Sequence, residues 1–269
     1  MSEKEKPLGQ KSYGHIAHVP GSRVGPGDHM VPPGMAKIVC EETRDRHDHI
    51  VVQVKVDGSN VSIANVDGEI VPLGRSGYRS YSSPWRQHHI FADWVYGQLE
   101  RFEFLKPGER LCGEWMAQAH GTRYSLPHEP FIAFDIMTIP HKRATYDELI
   151  QRVTPYDFVT PHLLSEGPPR SIEWCKNAIS NISPHGEIDR VEGVVWRCER
   201  RGEVDFLCKW VHPDKEDGIY LPSKTDGGEV IWNWSPEGKR EIIDVSESLG
   251  YNKWRSSIFV AGEKKNGKG

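Results

Sequence analysis

Several features that would settle the class of this chain outright are missing. No stretch of the 269 residues approaches the roughly 18 to 20 consecutive apolar side chains that a membrane-spanning helix requires. The polar opening MSEKEKPLGQK lacks the apolar centre of a secretory signal. Surplus positive charge is missing too. Lys and Arg number 34 against 38 Asp and Glu, a net charge of -4. That excludes a chain that grips nucleic acid by bulk charge, so a polyanion site must be a local patch. Cysteine is scarce and scattered: Cys40, Cys112, Cys175, Cys198 and Cys208 form no CxxC pair. A zinc cage or disulfide framework is therefore not expected, and a reducing cytoplasm fits best. No internal repeat is visible.

What is present is an ordinary globular composition, 37% hydrophobic and 27% charged, with 26 Gly and 19 Pro. So many turn formers predict a β-rich chain of short elements. Residues 1–11 read as a flexible N-terminus and residues 12–36, rich in Gly, Pro and His, as an irregular loop. Ile50-Val51-Val52-Gln53-Val54-Lys55 reads as a buried strand. Val61-Ser62-Ile63-Ala64 and the stretch after Asp67-Gly68 predict a hairpin. Ser83-Pro84 reads as a cap and first helical residue for a helix whose apolar positions run from Ile90 to Phe102, ended by Pro107-Gly108. Strands are expected at 110–116 and 131–138. A capping box opens a helix at Thr145, and another helix is expected over 171–180. A second hairpin spans 191–198 and 204–211. The main domain is expected over 12–220, followed by a tail, 221–269, with one helix from Pro236 to about Leu249.

Chemistry concentrates at Lys55-Val56-Asp57-Gly58-Ser59-Asn60, where a lysine closes a buried strand ahead of a Gly turn. Desolvation there predicts a lowered amine pKa, one route to a nucleophilic lysine. An ordered series follows: Leu73-Gly74-Arg75-Ser76-Gly77, Gly113-Glu114-Trp115-Met116, Phe131-Ile132-Ala133-Phe134-Asp135-Ile136, Val191-Glu192-Gly193-Val194-Val195 and Phe206-Leu207-Cys208-Lys209-Trp210. Over roughly 12–215 this series resembles the covalent nucleotidyltransferase superfamily of polynucleotide ligases and capping enzymes. Within it, the chain is most similar to the RNA ligase domain family of nick-sealing and editing ligases.

The resemblance implies an α+β nucleotidyltransferase fold, ATP-grasp-like, of twisted antiparallel sheets with flanking helices. It implies an ATP-dependent RNA ligase using ATP and Mg2+ or Mn2+, with RNA bearing 5′-phosphate and 3′-hydroxyl ends as partner. Lys55 would attack the α-phosphate and carry AMP. Glu114 would hold the ribose, Phe134 would stack on adenine, and the Val54 backbone would read its edge. Arg75 would touch ribose or RNA phosphate, and Lys209 the α-phosphate. Glu192 would bind the metal, with Asn60 helping to place metal waters or phosphates. The chain departs from relatives that carry a second lysine two residues past Lys209. Val211 stands there, so either His212 or Lys215 substitutes or the pyrophosphate step is handled differently. The short tail leaves RNA docking to its helix, to the 12–36 loop or to a protein partner. A DNA ligase, a GTP-dependent capping enzyme and a lapsed nucleic-acid-binding module of the same fold remain alternatives.

Other clusters are weaker. His47-Asp48-His49 and His88-His89 lack a metal-spaced carboxylate or cysteine set and read as solvated or capping histidines. His15, His18, Ser22 and Arg23 lie in the loop ahead of the nucleophile strand, where Tyr13 or Arg23 could meet nucleotide. Arg197, Arg200 and Arg201 read as a phosphate patch or a solvated hairpin tip.

Overall fold

The computed structural model describes residues 6–225 and 227–235. The helix expected over 236–249 lies outside the described residues. In chain order the elements are β1 (Ala17–His18), α1 (Pro33–Cys40), β2 (Asp48–Lys55), β3 (Ser59–Val66), β4 (Glu69–Gly74), α2 (Arg86–Tyr96), β5 (Arg110–Trp115), β6 (Phe131–Met137), α3 (Tyr146–Val153), β7 (Leu163–Gly167), α4 (Ile172–Ile179), β8 (Gly193–Arg200) and β9 (Glu203–Val211). The strands form two sheets. One has the order β1-β9-β8-β2-β7 and the other β4-β3-β5-β6, with every pairing antiparallel except β1 with β9. This is the expected α+β architecture of antiparallel sheets with flanking helices. No helix among the described residues is long and apolar enough to cross a membrane.

Strand periodicity explains the layering. Successive side chains point to opposite faces. Ile50, Val52 and Val54 of β2, Trp196 and Cys198 of β8, and Cys208 and Trp210 of β9 pack with α1 and α4 into one apolar core. Val61 and Ile63 of β3, Leu111 and Trp115 of β5, and Phe131 of β6 pack with α2 and α3 into a second. The alternate positions (Gln53 and Lys55, Arg197, Leu207 and Lys209, Asn60, Glu114, Phe134) line the cleft between the sheets. Burying each sheet's outer face under helices leaves the polar chemistry with nowhere else to go.

Local chemistry sets the elements. Asp67 and Gly68 have φ of 52° and 95°, the left-handed pair that a two-residue hairpin turn needs. Thr145 and Ser171 cap α3 and α4, accepting from the amides of Glu148 and Trp174. The Ser83 expectation is corrected. α2 starts only at Arg86 after Trp85, and the Ser83 hydroxyl instead accepts from the Trp85 amide and bonds the His88 ring at 2.6 Å. α2 also stops at Tyr96, before Gly97, and Leu99–Phe102 form a separate 3-10 turn. Gly is a poor helix residue, so the apolar periodicity continues past the helix itself. The strand β7 and the helix α1 carry no strong sequence signal and are found only in the structure.

Both boundaries differ from expectation. Leu8 is buried, Gln10 donates to the Pro140 carbonyl, and the Ser12 amide donates to the Arg75 carbonyl, so residues 6–11 pack on the body. Past residue 220 the chain also stays attached. Asn233 bonds the Met116 carbonyl and the Tyr124 amide, and Trp232 and Trp234 pack on the second core. The main body therefore reaches at least Ser235.

Gly193 begins β8 beside the Trp210 backbone, where a Cβ would overlap the Trp210 carbonyl oxygen. Gly193→Ala is expected to lower the unfolding free energy by about 1–3 kcal/mol, the usual cost of overpacking. Urea denaturation checks this, and an unchanged midpoint would contradict it.

Candidate active site

Lys55 ends β2 in one sheet and Ser59 opens β3 in the other. Residues 56–58 therefore carry the chain across the cleft, and they fix the lysine between the sheets. Gly58 allows the crossing, since a Cβ there would press on the Trp115 carbonyl at 2.6 Å. The Gly58 amide donates to Glu114 Oε1 at 3.1 Å, so β5 supplies a carboxylate directly beneath the turn. Lys55 pairs in register with Gly193, which places the preceding Glu192 against its amine. The Nζ to Oε2 distance is 2.6 Å, with Glu192 buried.

This pairing overturns the expectation of a lowered lysine pKa. Burial does push the Lys55 amine downward, but Glu192, Glu114 and Asp57 together push harder, and the net direction is up. The same crowding acts on the acids. Burial, opposed by Lys55, lifts Glu114 to about 7, and burial lifts Glu192 as well. As folded, Lys55 is an ammonium held by carboxylates.

Lys209, next to last on the cleft face of β9, faces the same space. Burial and the Lys55 charge both lower its pKa. Asp28 from the Gly/Pro loop lies 3.9 Å from its Nζ and also receives His18 at 3.2 Å. His18 in turn meets Ser22, whose hydroxyl accepts from the Val211 amide. The loop thus ties itself to the end of β9, beside Lys209. Asp28 had no distinguishing signal in the sequence.

Phe134 projects into a pocket of about 160 Å³ that also touches Gln53, Val54, Lys55, Glu114 and Lys209. Tyr13 packs edge-on against Phe134, with ring centroids 5.1 Å apart. Tyr13 thereby takes its expected place beside the pocket, whereas Arg23 pairs with Asp217 instead. The Val54 amide is committed to the His162 carbonyl at 2.9 Å, so this N–H does not reach into the pocket. Arg75 lies exposed at the mouth, donating to the Gly14 carbonyl at 3.3 Å. Asn60 also lines the pocket, and its Oδ1 is buried without a partner. Seven of the eight expected site residues line this pocket, and Glu192 meets them through Lys55.

His212 and Lys215 lie in different surroundings. His212 meets Arg190 and Asp214 at the surface. Lys215 is buried, 2.9 Å from Asp57 Oδ2 and bonded to Thr122. Burial pulls Asp57 upward, yet Lys215 and Lys55 outweigh it and hold this carboxyl below its ordinary range. The arginine patch dissolves on inspection. Arg197 is buried and grips Asp135 and the Phe134 carbonyl, while Arg200 pairs with Asp45 and Asp48. Asp48 also pairs with Arg44, and His88 bridges the Ser59 and Ser83 hydroxyls, so neither histidine cluster is a metal cage. The alternation along β8 and β9 could have flagged Arg197, since it shares a face with Lys209.

Residues 48–211 match the profile of a family described as RNA ligase. The chain belongs to the RNA ligase family. Solved structures of lower similarity include the Naegleria gruberi RNA ligase with ATP and Mn, at 17% identity and a TM-score of 0.47, covering 62% of this chain and 50% of that one. The same ligase with PPi gives 20% and 0.47, covering 67% and 53%. An archaeal ATP-dependent RNA ligase gives 20% and 0.43, covering 74% and 48%. The chain spans about half the length of these ligases. No curated protein matches it. Family membership rests on the profile match.

If Glu192 keeps Lys55 protonated, Glu192→Gln should lower the amine pKa and raise its neutral fraction at pH 8. Acetylation of Lys55 by acetic anhydride, followed by peptide mass spectrometry, is expected to run several-fold faster in the variant. Equal rates would show that Glu192 does not set the lysine charge.

Proposed function

We propose that the chain is an ATP-dependent RNA ligase that joins 5′-phosphate and 3′-hydroxyl ends through a lysyl-AMP on Lys55. The observation that carries this reading is the meeting of a half-buried lysine, flanking carboxylates and a second cation at the mouth of an aromatic-walled pocket. Such a pocket suits a nucleoside: Phe134 offers a ring face to adenine, Glu114 accepts from ribose hydroxyls, and Val54 lines the floor. Arg75 waits at the mouth for ribose or RNA phosphate.

A divalent cation fits the donor set, though not as a ready-made cage. No group of three His, Cys, Asp or Glu side chains among the described residues could hold a metal. Magnesium or manganese bound mostly by phosphate and water needs only one or two protein oxygens. Glu192 and the unpartnered Asn60 Oδ1 supply them. When bound, the cation supplies positive charge that competes with the Lys55 proton for Glu192 and offsets phosphate charge.

Lys55 loses its proton to solvent and attacks the α-phosphorus of ATP. A P–N bond forms and pyrophosphate leaves, with Lys209 holding the α-phosphate and Lys215 close by through Asp57. The 5′-phosphate of an RNA end then attacks the lysyl-AMP, the P–N bond breaks, and AMP passes to the RNA as a diphosphate linkage. A 3′-hydroxyl finally attacks the 5′-phosphorus, releasing AMP and its own proton as the phosphodiester closes. This chemistry needs positioning and charge neutralisation more than covalent assistance.

Incubation with Mg2+ and each α-labelled NTP tests the reading. ATP is expected to label the wild-type chain, and Lys55→Ala is expected to take no label. Label from GTP alone would move the chain to capping-type chemistry, and no label from any nucleotide would make it a lapsed module. A sealing assay that compares single-stranded RNA, nicked duplex RNA and DNA tests the substrate, with RNA expected to seal faster than DNA.

A further inference from the structure

The nucleoside pocket accounts for only a small part of the open space at Lys55. The same lysine, with Asn60, Arg75 and Glu114, also forms one end of a trough of about 990 Å³. That is far more than AMP needs. The trough runs past Tyr78, Arg79 and Ser82 to Trp85. Beyond Trp85 lies a chamber of about 630 Å³ lined by Arg86, His120 and Trp232, and Ser59, Trp85 and His88 line both spaces. The chamber therefore adjoins the trough at Trp85.

Its chemistry is distinctive. Trp85 is 56% exposed, although large aromatics usually bury their faces. Tyr78 is 40% exposed, but the Lys6 amine already lies 5.1 Å from its ring centroid. The carboxylates of the trough wall are Asp57 and Glu114, and both already have partners: Lys215 for the first, the Gly58 amide for the second. The chamber adds one acid, Glu229. Lys11 and Arg75 supply positive charge, Arg79 being paired with Glu69 at 3.1 Å, and hydroxyls come from Ser76, Ser82 and Ser83. Arg86 makes no ion pair with any described residue, and its guanidinium lies 5.9 Å from the Trp232 ring centroid. Partial burial without a carboxylate lowers its pKa, the setting of a cation prepared for an external anion.

We propose that this trough and chamber bind an unpaired RNA strand leading to the reacting end, a base stacked on Trp85 and a backbone phosphate on Arg86. The assignment of RNA rests on the ligase reading; the choice of an unpaired strand rests on the aromatic faces. A base inside a duplex already has both faces covered by its neighbours, so exposed rings gain contact only from bases free of pairing. A duplex would be held by charged contacts along its backbone, and this wall offers few. The trough thereby selects single-stranded ends over fully paired nicks.

Fluorescence anisotropy with a fluorescein-labelled, unstructured RNA 12-mer tests this without nucleotide or metal, so its outcome is independent of the labelling assay above. A blunt duplex of the same sequence serves as comparison, both at about 0.1 M salt. The single strand is expected to bind more tightly than the duplex. Trp85→Ala is expected to weaken the single strand about 5- to 150-fold, the range for losing one stacked base, and to leave the duplex unchanged. Trp85→Phe, which keeps a ring, should restore most of the affinity and separates stacking from a folding defect. Arg86→Gln should flatten the salt dependence by about 0.7 in log–log slope. Duplex binding as tight as the single strand, or a Trp85→Ala affinity equal to wild type, would overturn the proposal.

Discussion

The carboxylate of Asp135 is the pin on which the two sheets turn. It sits on β6 in one sheet, fully buried, and receives Arg197 from β8 in the other. Arg143 and the Tyr13 hydroxyl complete its surroundings. Burial alone would push this acid toward its neutral form, but the two guanidinium groups outweigh it and keep it ionised. A buried charge is tolerable only with partners of this quality, and removing one leaves the other stranded at a cost of about 3–5 kcal/mol. The clasp stands directly behind Phe134, whose carbonyl Arg197 also holds. The aromatic wall of the pocket and the spacing of the sheets are therefore set by one ion network.

That network makes the cleft a rigid container for groups that repel water unwillingly. Lys55, Glu192, Glu114 and Asp57 are all withdrawn from solvent, and each alters the charge of the others. The lysine is held charged by the same carboxylates that a bound cation would neutralise. An amine masked in this way is a poor nucleophile for as long as the carboxylates hold its proton. Asp57 reaches further, through its bond with Lys215, into the segment that follows β9. The lysine nucleophile and the C-terminal part of the body are thus coupled through a single carboxylate two residues from Lys55.

A good part of this was legible in the residues. The KVDGSN turn, the Gly-Glu pair of β5 and the lysine of β9 carry their meaning because strand chemistry is local. Alternation decides which side chains face away from the apolar core, and a Gly-containing turn after a buried lysine is visible without a partner. The hairpins and the caps of α3 and α4 were legible for the same reason. The end of α2 was not, because apolar spacing persists through Gly97 into a turn that packs on the same core. The role of Arg197 was hidden as well: a basic run at a hairpin looks solvated until the opposing strand places Asp135 against it.

The sequence by itself determined most of the element types, the polarity of the strand faces around Lys55 and the set of side chains available for chemistry. These follow from side-chain period and turn preference, which act over a few residues. Only the tertiary structure decided the charge of Lys55, the burial of Lys215 against Asp57 while His212 stays with Arg190, and the adjacency of the trough at Lys55 to the chamber at Trp232. Those depend on groups more than a hundred residues apart in the chain meeting within a few ångströms, where burial and opposite charge compete. Neither term can be weighed until the distances are fixed.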